Sequence, residues 1–154
     1  MTTQMQFARQ GVVTKEMEFV AREENLSPEF IREGVAKGTI AIYCNVNHKN
    51  LKPCGVGAGL RVKVNANIGT SDSFPELAPE LGKLHAAIAA GADSIMDLST
   101  GGNITASRRA IIGASDVMVG TVPIYQVAVK TIQKYGAVVE MTKEDLFDVI
   151  RMQA

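Results

Sequence analysis

Three side chains of complementary chemistry recur at one interval. Asn67, Met96 and Tyr125 are spaced 29 and again 29 residues apart. Each closes a stretch that reads as a strand with small polar residues at its end. Arg61–Val62–Lys63–Val64 runs into Asn65–Ala66–Asn67–Ile68–Gly69–Thr70–Ser71, and Ser94–Ile95–Met96–Asp97 runs into Leu98–Ser99–Thr100–Gly101–Gly102. The third stretch is Val117–Met118–Val119–Gly120–Thr121–Val122–Pro123–Ile124–Tyr125. An amide donates and accepts, a thioether adapts to a flat ring, and a phenol offers a hydrogen bond and an aromatic face. Together they suit a polar heterocycle. Each also has a purely structural use: Asn67 as a turn former, Met96 as a core filler, Tyr125 as a packing residue at a helix start.

Other reactive residue types carry less. Cys44 and Cys54 are the only thiols, ten positions apart, outside any CxxC or Cys/His cluster, so they read as reduced, partly buried cysteines. His48 is near both in sequence and would join them only if the chain folded back. His85 flanks an apolar helical stripe and reads as a boundary residue rather than a ligand. Gly55–Val56–Gly57–Ala58–Gly59 lacks the strand before and helix after that a dinucleotide fingerprint needs, and reads as a flexible turn. Gly101–Gly102, ahead of a helix at about 104–113, is a fairer phosphate-loop candidate, although two such glycines also make an ordinary tight turn.

The elements that must position these residues are legible from periodicity and punctuation. Met17, Val20 and Ala21 give 14–24 an amphipathic helical pattern. Ser27–Pro28 is an N-cap and first-turn pair opening a helix to about Lys37 that stops at Gly38, with Phe30, Ile31 and Val35 inward. A short strand is expected at 39–43 and an irregular loop at 45–59. In the repeats, Val62 and Val64 alternate with Arg61 and Lys63 as in a strand. Pro79 suits a first helical position, and Leu77, Leu81, Leu84 and Ile88 form a stripe ending at Gly91. A further helix follows Tyr125 and ends at Gly136. Thr142–Lys143–Glu144–Asp145 resembles a capping box before Leu146, Phe147 and Ile150.

Strand followed by helix, three times, makes a parallel α/β sheet, whose ligands gather at the C-terminal strand ends. If the three strands are adjacent, Asn67, Met96 and Tyr125 converge on one rim. The expected division is a helical N-terminal segment at 1–59, with a short strand and loop, and an incomplete β/α domain at 60–154. The chain of 154 residues is long enough for a genuine core. Sixteen basic and sixteen acidic residues cancel, so no global field draws nucleic acid or an anionic membrane, and a small-molecule partner is expected. With no signal-like terminus and no apolar run of about 18 residues, a cytoplasmic location is expected.

Lys63–Val64–Asn65–Ala66–Asn67–Ile68–Gly69, Ile95–Met96–Asp97–Leu98–Ser99–Thr100–Gly101 and Gly120–Thr121–Val122–Pro123–Ile124–Tyr125–Gln126 resemble signatures of the phosphomethylpyrimidine synthase family, radical S-adenosylmethionine enzymes of thiamine biosynthesis. Gln4–Met5, Asn25–Leu26–Ser27–Pro28–Glu29–Phe30 and Asn45–Val46–Asn47–His48 resemble its N-terminal region. The similarity therefore covers nearly the whole chain. It implies a TIM-type (β/α) barrel, of which about three β/α units are present here, after a helical N-terminal segment. It implies a carbon–carbon lyase that rearranges 5-aminoimidazole ribotide into hydroxymethylpyrimidine phosphate, using a 4Fe-4S cluster, S-adenosylmethionine and zinc, and acting as a homodimer when full length. It also implies that Asn67, Met96 and Tyr125 contact the ribotide.

Family members continue through a histidine-bearing strand, further substrate loops, two metal-binding histidines and a run of three cysteines that holds the cluster. The 154 residues carry none of these, so the chain reads as an N-terminal part, with cluster and zinc ligands absent and no activity expected of it alone. Two alternatives stand beside this reading. One is part of the related 5-hydroxybenzimidazole synthase of cobamide lower-ligand synthesis; the other is a non-catalytic ribotide-binding or assembly module.

Overall fold

The computed structural model describes residues 2–154, and among them are seven α-helices and five strands in two small sheets. The architecture is mixed α/β, with one antiparallel sheet and one sheet that contains a parallel pair. The three-stranded sheet is not closed into a barrel.

A first compact unit runs up to Val64 and takes in Asp116–Met118. Its helices are α1 (Gln4–Arg9), α2 (Lys15–Glu24) and α3 (Pro28–Lys37). The Ser27 hydroxyl caps α3 and α3 stops at Gly38, as the sequence predicts; Gly38 is in the left-handed conformation, and Thr14, placed by the sequence pattern within the helix, instead caps α2 with its hydroxyl. Met17, Val20, Ala21, Ile31, Val35 and Ile40 pack into one core with Ala8 from α1. That first helix carried no sequence expectation; Thr3 and Gln6 cap it reciprocally. Phe30 is a correction: it is 44% exposed rather than inward, with its ring lying over Gly59.

The expected strand after α3 is β1 (Ile40–Tyr43). The expected loop at 45–59 is corrected in part, because β2 (Cys54–Gly57) pairs antiparallel with β1, with Tyr43 opposite Cys54. The physical reason is close backbone approach rather than side-chain pattern. A β-carbon at position 55 would lie 2.5 Å from Val20, and one at 57 would strike the Thr39 carbonyl oxygen at 2.2 Å. A strand built on glycine leaves no alternation to read.

The second unit comprises Asn65–Ser115 and Val119–Ala154. It holds β3 (Asn65–Ile68), β4 (Ser94–Asp97) and, from Val119 on, β5 (Met118–Thr121), in that order, each followed by a helix: α4 (Leu77–Ala89), α5 (Ile104–Ala114) and α6 (Pro123–Tyr135). Helix α7 (Lys143–Gln153) follows, opened by the Thr142–Asp145 capping box. Ile68, Leu84, Ile95, Ile111, Val127 and Val149 are buried in this unit. Pro79 is the third residue of α4 rather than the first, still within the turn whose N–H groups lack helical partners.

Two strand expectations are corrected here. Residues 61–64 are not a strand: Val62 is 84% exposed, and the parallel ladder starts at Asn65 because its partner starts at Ser94. The segment is held instead by charge, within the first unit. The Lys63 ammonium meets Glu24 at 2.8 Å and the Arg61 backbone N–H donates to Glu24 at 2.8 Å. The third strand stops at Thr121 and does not reach Tyr125, because Pro123 supplies a preset first helical residue.

Candidate functional site

Burial alternates along the parallel pair. Ile68, Ile95 and Asp97 are buried, while Asn65 and Asn67 are exposed and Ser94 and Met96 half-buried. Because residues two apart share a face, Asn65, Asn67, Ser94 and Met96 stand on one open, polar side of the sheet. The register joins two of the predicted site residues directly: Asn67 is the partner of Met96 and Asn65 the partner of Ser94. The 29-residue interval between 67 and 96 is thus the strand register itself.

Tyr125 does not share that ladder position. It lies in the first turn of α6, 41% exposed, with its backbone N–H donating to the Val122 carbonyl at 3.1 Å. The second interval of 29 therefore reaches a helix, and the expectation of three equivalent strand ends is corrected. The β5 residue that meets Met96 is Gly120. A β-carbon there would come within 2.8 Å of Met96 Cε and 2.9 Å of Sδ, so the glycine leaves the space the thioether occupies.

Beyond the strand ends a buried polar layer fixes the loops. The Thr70 hydroxyl donates to the Gly101 carbonyl at 2.7 Å, and its backbone N–H donates to Ser99 Oγ at 3.0 Å. Ser99 in turn donates to Asp97 Oδ1 from its backbone N–H and its hydroxyl. The buried Glu80 carboxylate accepts from the Gly69 N–H at 2.7 Å and from Lys83. These contacts bear on the phosphate-loop reading of Gly101–Gly102. Gly101 is buried against the backbone of Ser71 and Asp72, with the Asp72 carboxylate beside it, an arrangement that fits a packed turn and repels an anion.

A second network braces the helix that carries Tyr125. Buried Gln126 accepts from Arg108 Nη1 at 2.7 Å and from Gln153 Nε2 at 2.9 Å, and donates to Thr105 Oγ1 at 2.8 Å. Gln153 also accepts from the Thr121 hydroxyl at 2.7 Å. Burial lowers the affinity of the Arg108 guanidinium for its proton, against the attraction of Asp97. Sequence reasoning missed Asn65, Ser94, Gly120, Arg108 and Gln126. A signal existed for the first two, since 65 and 94 are separated by the same 29 residues; Gly120 and the network carry no periodic mark.

Among the described residues no group of three or more His, Cys, Asp or Glu side chains is placed to hold a metal ion. Cys44 and Cys54 form no disulfide, and two thiols fall short of the three or four thiolates that an iron–sulfur cluster takes. Burial, aided by Glu16, pushes the Cys44 thiol above its ordinary range, opposite to what a thiolate ligand needs. His85 is exposed on α4, as expected. No helix among the described residues is long and apolar enough to cross a membrane.

Comparison with known proteins extends over the same chain. The Radical SAM ThiC family model matches residues 3–154. A protein from a Thermoanaerobacter species named phosphomethylpyrimidine synthase is 58% identical over 152 residues, covering 99% of this chain and 35% of the relative. Proteins of the same name from Carboxydothermus hydrogenoformans and Moorella thermoacetica are 58% and 54% identical, with the same coverage of each chain. The chain thus spans about a third of the length of the curated relatives it matches. A family model that matches residues 3–154, with relatives 54 to 58% identical over 99% of the chain, establishes that this chain belongs to the Radical SAM ThiC family, a family of radical S-adenosylmethionine enzymes.

Proposed function

We propose that this chain contributes the imidazole-ribotide-binding wall of a phosphomethylpyrimidine synthase, the enzyme that makes the pyrimidine of thiamine. The observation that carries the reading is the direct pairing of Asn67 with Met96 on the open face of the parallel ladder. An amide beside a thioether presents a hydrogen-bonding edge and a polarizable surface, the two features a small polar heterocycle engages. Tyr125, on the first turn of α6, supplies a phenol to the same ligand. The relatives' shared name favours the thiamine pyrimidine over a benzimidazole product.

The sequential order β3–β4–β5, the parallel β3–β4 pair and the helix after each strand support reading this part as a sector of a TIM-type barrel, with 1–59 as an N-terminal segment and 60–154 as the barrel part. In the complete enzyme the family's 4Fe-4S cluster and S-adenosylmethionine supply radical chemistry, and zinc and a carbon–carbon lyase reaction follow by the same analogy. The residues of this chain do not fit the cluster, and their part is to bind and orient the ribotide.

The test is calorimetric titration of the chain with 5-aminoimidazole ribotide. Asn67→Ala weakens binding by about 1 to 3 kcal/mol, because a polar ligand edge loses its partner, whereas Asn47→Ala on an exposed turn changes it little. Equal effects of the two substitutions would reduce Asn67 to a structural residue and sink the reading.

A further inference from the structure

Asn67 meets solvent with one end of its amide already engaged. The Asn65 side chain donates from Nδ2 to Asn67 Oδ1 at 2.8 Å, and the Ser94 hydroxyl donates to Asn65 Oδ1 at 2.8 Å. The register makes this possible. Asn65 stands opposite Ser94 across the ladder and two residues before Asn67 on the same face. The three side chains form a directional chain, hydroxyl to amide to amide. A carboxamide has an acceptor end and a donor end, so filling Oδ1 from Asn65 leaves Asn67 with its N–H groups outward.

We propose that Ser94 and Asn65 are positioning residues that set the polarity of Asn67, so that the site offers a donor and takes its ligand by an acceptor atom, such as an unprotonated ring nitrogen or a ribose oxygen, rather than by an amine. The ligand half of this rests on Asn67 being a ribotide residue; the polarity half is a property of the chain alone. A substitution of nearly equal size reverses it. In Asn65→Asp the carboxylate has only acceptors, so Asn67 turns its N–H groups inward and its carbonyl outward. Ser94→Ala removes the group that orders Asn65, and Ser94→Thr keeps it.

The experiment reads side-chain amides by NMR on the 15N-labelled chain, with Asn67→Ala assigning the signals and backbone amide spectra confirming that each variant is folded. In the native chain the Asn65 N–H groups are protected from solvent exchange and those of Asn67 exchange freely. Asn65→Asp transfers protection to Asn67, Ser94→Ala makes both signals exchange, and Ser94→Thr restores the native pattern. Protection on Asn67 in the native chain, or no change with Ser94→Ala, overturns the proposal. Titration with 5-aminoimidazole ribotide gives the second readout: Asn65→Asp weakens binding about tenfold while Ser94→Thr does not. Equal affinity of native and Asn65→Asp chains overturns the ligand half. A native chain that binds no ribotide overturns the assignment of Asn67 to the ribotide, and the exchange pattern then decides the polarity.

Discussion

Gly101→Ala puts the packed turn at the strand ends to the test. The backbone of Gly101 needs space rather than an unusual dihedral angle. A β-carbon there would sit 2.2 Å from the Asp72 nitrogen and 2.3 Å from the Ser71 carbonyl carbon, where contacts closer than 3.4 Å are already tight. Both neighbours are backbone, so neither can swing aside, and the two loops must part by about 1 Å. That parting breaks the hydrogen bond from the buried Thr70 hydroxyl to the Gly101 carbonyl. An unsatisfied buried pair costs about 1 to 3 kcal/mol and overpacking a similar amount, so a loss of about 3 kcal/mol is expected. For a chain of this length that is a fall of about 6 to 12 °C in Tm. Gly82→Ala is the internal control. Gly82 lies within α4 with nothing within 4 Å of an added β-carbon, so alanine there stabilises by about 0.5 to 1 kcal/mol. Thermal melts followed by circular dichroism measure both. A Gly101→Ala chain that melts with or above the native one would refute the close-packed turn.

Charge and an orphaned hydroxyl give two further tests. Burial raises the Glu24 carboxyl, but the Lys63 ammonium and the Arg61 N–H outweigh it and hold the group below its ordinary range. The side chains of Lys63 and Glu24 are 8% and 6% exposed, so Lys63→Met costs about 3 kcal/mol near neutrality by stranding a buried carboxylate. A carboxyl with a depressed folded pKa stabilises fully above its unfolded value of about 4.3, and the benefit disappears as pH falls through the folded value. Native and variant stabilities in urea therefore converge on acidification below that value; a gap that stays constant down to pH 3 would contradict the ion pair. The buried Thr131 hydroxyl lacks a hydrogen-bond partner, so Thr131→Val raises stability by about 1 kcal/mol in the same assay, and a clear loss would mean that the hydroxyl is satisfied.

Local chemistry was readable because it acts within one turn of chain. Ser27 with Pro28 and the Thr142–Asp145 box each satisfy an N–H group three residues away, and both open helices where expected. The 29-residue interval between Asn67 and Met96 was also visible, since neighbouring β/α units of equal length bring equivalent residues into register. The same count failed at Tyr125, because Pro123 starts the helix before the interval is complete. Val62 and Val64 showed the alternation of a strand, yet alternation states only which face a residue would take and not whether a partner strand lies alongside. The β1–β2 pairing, the space Gly120 leaves for Met96, the bond from Ser94 to Asn65, and the joining of Arg108, Gln126 and Gln153 depend on residues 11 to 29 positions apart. Residue types and local order thus determined the helices and the candidate ligand face, while the orientation of each amide on that face was decided only when backbone hydrogen bonds brought distant strands together, because a carboxamide takes its direction from its neighbours in space.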